Sequence, residues 1–350
     1  MTLDRLATRR IAIVTDAWRP QVNGVVRTLG HVAAELEGLG HAVSVIGPDQ
    51  FRTVSCPTYP EIRLALRPGA RLAGLIGDFA PDILHIATEG PLGLAARNWA
   101  IRRGLRFTTS LHTRFSDYLA ARVGVPRAWT WALLRRFHGR AAATLVATPS
   151  LVRELEDRGF EQLRLWSRGV DTETFRPAPR REWGVPGPVL LTVGRVAVEK
   201  NLGAFLELDV PGTKVVVGDG PLLKRLRRQY PAVVFTGALS GAALAEAYAG
   251  ADVFVFPSRT DTFGLVLLES MACGTPIAAY PVAGPLDVVP ARAGQLDGDL
   301  GAAVMRALSL DRGACRAAAL EHTWRACAER FLAHLVPLRE DMGERELAAA

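Results

Sequence analysis

Runs of five to seven mostly aliphatic or β-branched residues recur along this chain, each followed by a longer segment of helical character. Such alternation marks parallel sheets, because a parallel neighbour is reached only through a crossover that is usually a helix. The first series reads as strands at Ile11–Asp16, Ala42–Gly47, Asp82–Ala87, Phe107–Thr113 and Thr144–Ser150. A second series reads as strands at Val189–Arg195, Lys214–Gly220, Val233–Gly237, Asp252–Ser258 and Pro276–Tyr280. The pattern restarts, so the expected class is α/β with two similar Rossmann-like domains. With 350 residues, 49% of them hydrophobic, and a mean hydropathy of +0.14, the chain can bury a core for each. The proline-rich stretch Arg168 to Pro188 has neither period and separates the series, which predicts domains at 1–170 and 189–320 and a linker at 171–188. Ligands of such domains bind beyond the carboxyl ends of the strands, in a cleft that the two domains would face.

Several classes are set aside early. No apolar run reaches the ~18 residues that span a bilayer. The start MTLDRLATRR runs into IAIVTD without the apolar segment of a signal peptide, so the expected location is cytoplasmic. Cys56, Cys273, Cys315 and Cys327 form no Cys-x-x-Cys pattern, which points to reduced thiols rather than to zinc or disulfides.

Three stretches carry candidate chemistry. Gly24 opens a helix whose Val25, Leu29, Val32 and Leu36 recur at helical spacing directly after the first strand. Amides at such a helix start, with the positive end of its dipole, suit an anion; a tight turn is the plainer alternative. Arg195 ends the first strand of the second series and Lys200 begins the next helix, so both cations can reach a diphosphate. Paired cations at a surface are otherwise simply solvated. In TDTFGLVLLESMACGTP, Thr260 to Pro276, Asp261 and Glu269 stand eight residues apart. Across a helix expected at Phe263–Cys273 that is a rise of ~12 Å, enough for two acids to touch opposite ends of one elongated ligand. Glu269 suits a pair of vicinal hydroxyls. An N-cap Asp and a surface Glu would be the plainer account, but it leaves a carboxylate inside LVLLESMACG unexplained.

The Gly24 loop, VGRVAVEKN, VVVGDGP at Val215–Pro221 and FPSRTDTFGLVLLESMACGTPIAAYPVAGP at Phe256–Pro285 together resemble family 4 of the retaining glycosyltransferases, of GT-B architecture. The resemblance spans nearly the whole chain in order. It implies that Gly24, Arg195 and Lys200 hold the diphosphate of a nucleotide sugar, that Glu269 binds the ribose hydroxyls, and that Asp261 contacts the transferred sugar. His112, in SLHT, is similar to a family histidine near that sugar. Thr262, Phe263, Gly264 and Leu265 would add contacts to sugar or phosphate through their amides. Family members commonly carry Glu where this chain has Asp261; a carboxylate remains, so activity is expected to survive.

The resemblance further implies transfer with retention, no metal and no cofactor, with Arg195, Lys200 and helix amides stabilising the departing nucleoside diphosphate. Asp297 and Asp299 form an Asp-x-Asp, the metal motif of a different architecture, but here they precede a helix and read as a capped turn. The stretch DAWRPQVNGVVRTL is similar to GDP-mannose-dependent α-mannosyltransferases acting on glycolipids, which favours GDP-mannose; the alternative is a UDP-sugar with a diacylglycerol or saccharide acceptor. As in related proteins, a helix at 321–340 would return to pack on the first domain.

The net charge is +7, and ten arginines but one acid, Asp117, fall between Arg97 and Arg140. Within that stretch RAWTWALLRRFHGR, residues 127–140, interleaves aromatics with arginines, as a helix lying in an anionic membrane interface does. A core helix with a basic outer face is the alternative. Because several members of the family it resembles glycosylate lipids at the inner membrane surface, the resemblance implies a lipid or glycolipid acceptor and peripheral contact with the inner membrane face. A dehydrogenase is disfavoured because Gly218 and Gly220 lack the third glycine of the dinucleotide fingerprint. A non-catalytic nucleotide-sugar-binding protein fits poorly with Asp261, Arg195, Lys200 and Glu269 all present, and no nucleic-acid motif accompanies the positive charge.

Overall fold

The computed structural model describes residues 8–21, 23–56, 59–112, 127–179, 181–261 and 263–339. The chain divides into two compact units, Met1–Ser167 with Arg325–Ala350, and Arg168–Trp324. The first holds β1 (Arg10–Val14), β2 (Ala42–Ile46), β3 (Thr53–Cys56), β4 (Tyr59–Ala65), β5 (Ile83–Ile86), β6 (Thr108–Leu111), β7 (Ala143–Val146) and β8 (Leu163–Leu165). Six of these form a parallel sheet in the order β2-β1-β5-β6-β7-β8, while β3 and β4 pair as an antiparallel hairpin. The hairpin escapes sequence periodicity because part of it is exposed and polar: Arg63 bridges Thr53 and Ser55 across it.

The interior strands β5, β6 and β7 are buried on both faces, as expected where helices cover a parallel sheet. The helices Gly69–Phe79 and Pro91–Arg102 supply Leu72, Ile76, Leu92 and Ala96 to one cluster with Ala12, Val14, Leu84 and Ile86. The helix expected over 321–340 is present but shorter. One helix ends at Leu320, Thr323 makes an isolated bridge to Val170, and a new helix runs Trp324–His334. That last helix packs within the first unit: Trp166 Nε1 donates to Cys327 O at 3.2 Å, and Phe331 lies 4.8 Å from the rings of both Trp166 and His85.

The second unit holds β9 (Val189–Val193), β10 (Thr213–Val217), β11 (Val234–Gly237), β12 (Val253–Phe256), β13 (Ile277–Ala279) and β14 (Gly294–Leu296). Its sheet is parallel throughout, in the order β11-β10-β9-β12-β13-β14, the strand order of a dinucleotide-binding fold. The proline-rich stretch is pinned to this unit rather than strung out as a tether. Arg316 donates to the carbonyls of Thr172 and Phe175, Phe175 is buried against Tyr248, and Thr213 Oγ1 donates to Pro186 O. Its aperiodicity is that of irregular backbone whose carbonyls are met by side chains.

One core residue gives the first unit a pH signature. His85 is fully buried, Nδ1 2.9 Å from Thr108 Oγ1 and Nε2 3.0 Å from Ser110 Oγ, and burial pulls its pKa from 6.5 to about 3. The unfolded chain takes up this proton below pH ~6.5 and the native state does not, so the contribution is complete above that pH and is lost as pH falls. Between pH 6.5 and 5 the loss is about 2 kcal/mol. Replacing the ring by an amide, His85→Gln, should flatten that slope in denaturant unfolding measured across the window. An unchanged slope would assign it to another group.

Candidate functional site

In the second sheet β9 lies between β10 and β12, so the chain leaves β9 toward one side and comes back to the other. The loops that follow β9 and β12 thus meet at the strand-order reversal. The first loop turns at Gly194, makes a 3₁₀ turn over Val198–Lys200, and places Asn201 in the left-handed region at φ 51° before the helix Leu202–Leu206. Asn is among the few residues that adopt this conformation readily. Its Nδ2 donates to Pro257 O at 3.0 Å, tying the two loops together. Lys200 therefore closes a 3₁₀ turn rather than opening the helix.

Lys200 Nζ donates to both carboxylate oxygens of Asp261, at 2.6 and 2.8 Å. Both side chains remain about a quarter exposed. Arg195 is exposed at the end of β9, and with Gly194, Lys200, Phe256, Pro257 and Ser258 it lines a small cleft open to solvent. The loop after β10 presses against this floor. Val196 N donates to Asp219 O and Leu222 N to Val196 O, and a Cβ on Gly218 or Gly220 would overlap the carbonyl of Gly194 or Val196. Both glycines also have φ near +150°, at 144° and 158°.

The helix expected from Phe263 begins at Leu265, after Gly264 at φ 82°, and ends at Ala272. Asp261 thus stands outside it, and the helical rise does not measure its separation from Glu269. Thr262 lies outside the described residues, and Phe263 is buried. The first amides of this helix, from Leu265 on, have no acceptor within it, so its start carries the positive end of the dipole. Glu269 is 2% exposed and is not part of the cleft's lining; Tyr248 Oη donates to its Oε2 at 3.1 Å. Burial, then the charge of Glu269, pushes the Cys273 thiol up to about 12. Arg316 caps the last turn through Ala272 O.

Gly24 and His112 belong to the first unit. Gly24 opens the helix Gly24–Gly38, but Asn23 Oδ1 already accepts from the amides of Val25 and Val26, both at 3.0 Å. His112 stands half-buried just past β6, its Nε2 2.8 Å from Ser110 Oγ and its ring edge-on to Trp166. Asp16, a residue of the same β1 loop, is buried and caps the helix Pro91–Arg102 through the amides of Leu92 and Gly93. Asp299 caps the helix Leu300–Ala307 through Gly301 and Ala302, and Asp297 pairs with Arg306. Among the described residues no three His, Cys, Asp or Glu are grouped to hold a metal.

The helix Arg127–His138 has two faces. Thr130, Leu134, Phe137 and His138 are buried, whereas Trp129 is 74% and Leu133 60% exposed, with Arg136 one turn on and Arg140 beyond. Partial burial, then the charges of Arg136 and Arg140, pulls Arg97 below its ordinary value, a sign of crowded positive charge. No described helix is long and apolar enough to cross a membrane. Sequence reading missed Asn201, Tyr248, Arg316 and the packing role of Gly218 and Gly220. Asn after the Glu-Lys pair and a Gly-x-Gly at a strand end were legible signals; Tyr248 and Arg316 act across the fold and left none.

Residues 22–174 match the family model described as Glycosyltransferase Family 4, and residues 187–307 the one described as Glycosyl transferases group 1. The chain is 34% identical to a GDP-mannose-dependent alpha-mannosyltransferase of Mycolicibacterium smegmatis, over 97% of this chain and 100% of that protein. It is 28% identical to the alpha-monoglucosyldiacylglycerol synthase of Streptococcus pneumoniae, over 77% and 71%. Among solved structures, sucrose-phosphate synthase of Thermosynechococcus elongatus superposes with a TM-score of 0.73 at 20% identity, covering 97% and 99% of the two chains. Anabaena HepE in complex with UDP superposes at 0.68 and 14% identity, covering 97% and 100%. These structures share the GT-B fold.

Gly218→Ala should disrupt the cleft floor, lowering the melting temperature and removing nucleoside diphosphate binding in calorimetry. Gly298→Ala, with nothing within 4 Å of its added Cβ, is the control. Equal behaviour of the two variants would show that the close approach at Gly194 is unimportant.

Proposed function

This chain belongs to glycosyltransferase family 4 and is a glycosyltransferase, and we propose that it moves mannose from GDP-mannose to a hydroxyl of a lipid or glycolipid, with retention of configuration. The single observation that carries the donor assignment is identity of 34% over the full length of a relative named for GDP-mannose. The glycolipid side draws support from the diacylglycerol named in the streptococcal relative.

The geometry supplies a route for the leaving group. A diphosphate entering the cleft meets Lys200 and exposed Arg195, and in this reading the amides at the start of the helix Leu265–Ala272 add further donors. As Lys200 turns to the phosphates, Asp261 is released from its bidentate pair to accept hydrogen bonds from the hydroxyls of the transferred sugar. Glu269 and Gly24 take the ribose and phosphate roles of their family counterparts, and the amides of Phe263 and Gly264 face sugar or phosphate. The C1–O bond to diphosphate breaks and the acceptor oxygen bonds to C1 on the same face, its proton passing to the departing phosphate. Charge on that phosphate is neutralised by fixed cations and amides, without a metal. His112 takes the role of the family histidine at the donor sugar and is assigned no part as a covalent nucleophile.

For the acceptor, the helix Arg127–His138 offers an outward Trp129 and Leu133 beside Arg136 and Arg140, a combination that suits an anionic membrane surface. Its buried side satisfies the core reading at the same time.

Two measurements test this. GDP at a hundredfold excess over its dissociation constant should stabilise the protein by about 2.7 kcal/mol without added metal, with UDP far weaker. Preference for UDP overturns the guanine assignment, and dependence on a divalent ion overturns the metal-free one. Vesicles with anionic lipid should bind the protein at low salt and release it at high salt. Arg136→Gln with Arg140→Gln should weaken binding by about 2 kcal/mol, roughly thirtyfold; undiminished binding would remove this helix from the membrane contact.

A further inference from the structure

Strand β6 is itself fully buried yet carries polar side chains on both faces, and the two faces lead to different places. Thr109 points to one. There its Oγ1 meets Thr144 Oγ1 at 3.0 Å and His138 Nδ1 at 2.9 Å, and His138 Nε2 lies 3.2 Å from Glu89. Thr108 and Ser110 share the other face with His85, the register partner of Thr108 on β5. On this face contacts run in series: Thr108 Oγ1 to His85 Nδ1 at 2.9 Å, His85 Nε2 to Ser110 Oγ at 3.0 Å, and Ser110 Oγ to His112 Nε2 at 2.8 Å. The series begins inside the sheet and ends at its carboxyl edge.

We propose that Ser110 and His85 are positioning residues for His112, holding the plane of its imidazole and coupling its tautomer to that of His85. The inference rests on the reading of His112 as a group at the donor sugar.

Proton counting carries the argument. Ser110 has one hydroxyl proton, and Ala87 O, at 3.5 Å, is too distant to compete for it. The proton goes to one of the two rings. Neutral His85 has one N–H, so the direction of every bond in the series is set together. If Ser110 donates to His112, then His85 Nε2 donates to Ser110 and Nδ1 accepts from Thr108; otherwise each bond reverses. In both arrangements the proton on His112 is tied to the proton on His85. Buried Trp166 stands edge-on to both rings, at 5.7 Å from His112 and 6.4 Å from His85, and Phe331 covers His85 at 4.8 Å. An aliphatic residue would fill the place of His85 without bringing two ring nitrogens into a dry sheet, where polar atoms are costly unless bonded.

The test uses the full-length enzyme with ¹⁵N-labelled histidine. Long-range ¹H–¹⁵N spectra of the wild type should show His112 in a single tautomer, and Ser110→Ala should show a mixture. In steady-state assays Ser110→Ala and His85→Leu should each lower kcat about tenfold, the scale of one hydrogen bond, with KM for the nucleotide sugar within twofold. The double variant should be no worse than either, because both act through one series. His85→Gln, which keeps a donor and an acceptor, should recover most of the loss; if His85→Leu fails to fold, it and Ser110→Ala carry the test. An hundredfold loss in the double variant, or an unchanged tautomer and kcat in Ser110→Ala, overturns the proposal. If His112→Ala keeps full turnover, the reading of His112 fails instead, and the tautomer spectra alone decide whether Ser110 and His85 orient it.

Discussion

The reversal of strand order at β9 is the constraint on which the second unit's chemistry depends. From β9 to β11 the crossovers step toward one edge of the sheet and from β12 to β14 toward the other, so the loops after β9 and β12 come together at the carboxyl ends of the strands. Two backbones converging there need a tie, and Asn201 supplies it through Pro257 O. The same convergence brings Lys200 onto Asp261. A partly exposed ion pair contributes about 1 kcal/mol or less to stability. Its significance is that it holds a carboxylate against Lys200, which lines the cleft.

Rigidity around that cleft comes from backbone packed on backbone. Gly218 and Gly220 let the loop after β10 lie against Gly194 and Val196, closer than any side chain permits. The helix Leu265–Ala272 is held at its far end by Arg316, which also gathers carbonyls from the aperiodic stretch after β8. Glu269 is locked by Tyr248 within a packed interior. A site made this way loses little freedom when a ligand binds, which favours affinity.

The first unit solves a different problem. Its central strands place His85, Thr108, Thr109 and Ser110 where aliphatic residues would be the simplest filling. All four polar groups are satisfied because β5, β6 and β7 are in register and because the final helix of the chain lays Phe331 over His85. Satisfied networks of this type specify one arrangement of the core. Here one such network ends on His112.

The amino-acid sequence by itself determined the α/β class, the ten strands of the two repeating series, the family, and the identity of the charged residues at the ends of β9 and β12. Those features are local: a strand buried on both faces is mostly aliphatic or β-branched, and a motif must keep its spacing. Tertiary structure alone decided that the stretch 168–188 is packed rather than free, that Asp261 precedes its helix, that Lys200 pairs with Asp261, that Tyr248 bonds Glu269, and that Arg316 holds the end of the helix at Ala272. It also decided that His85 and Ser110 stand behind His112. Each of these joins residues far apart in the chain or depends on where a backbone turns, and a one-dimensional pattern holds no record of either until strand order and register bring the partners together.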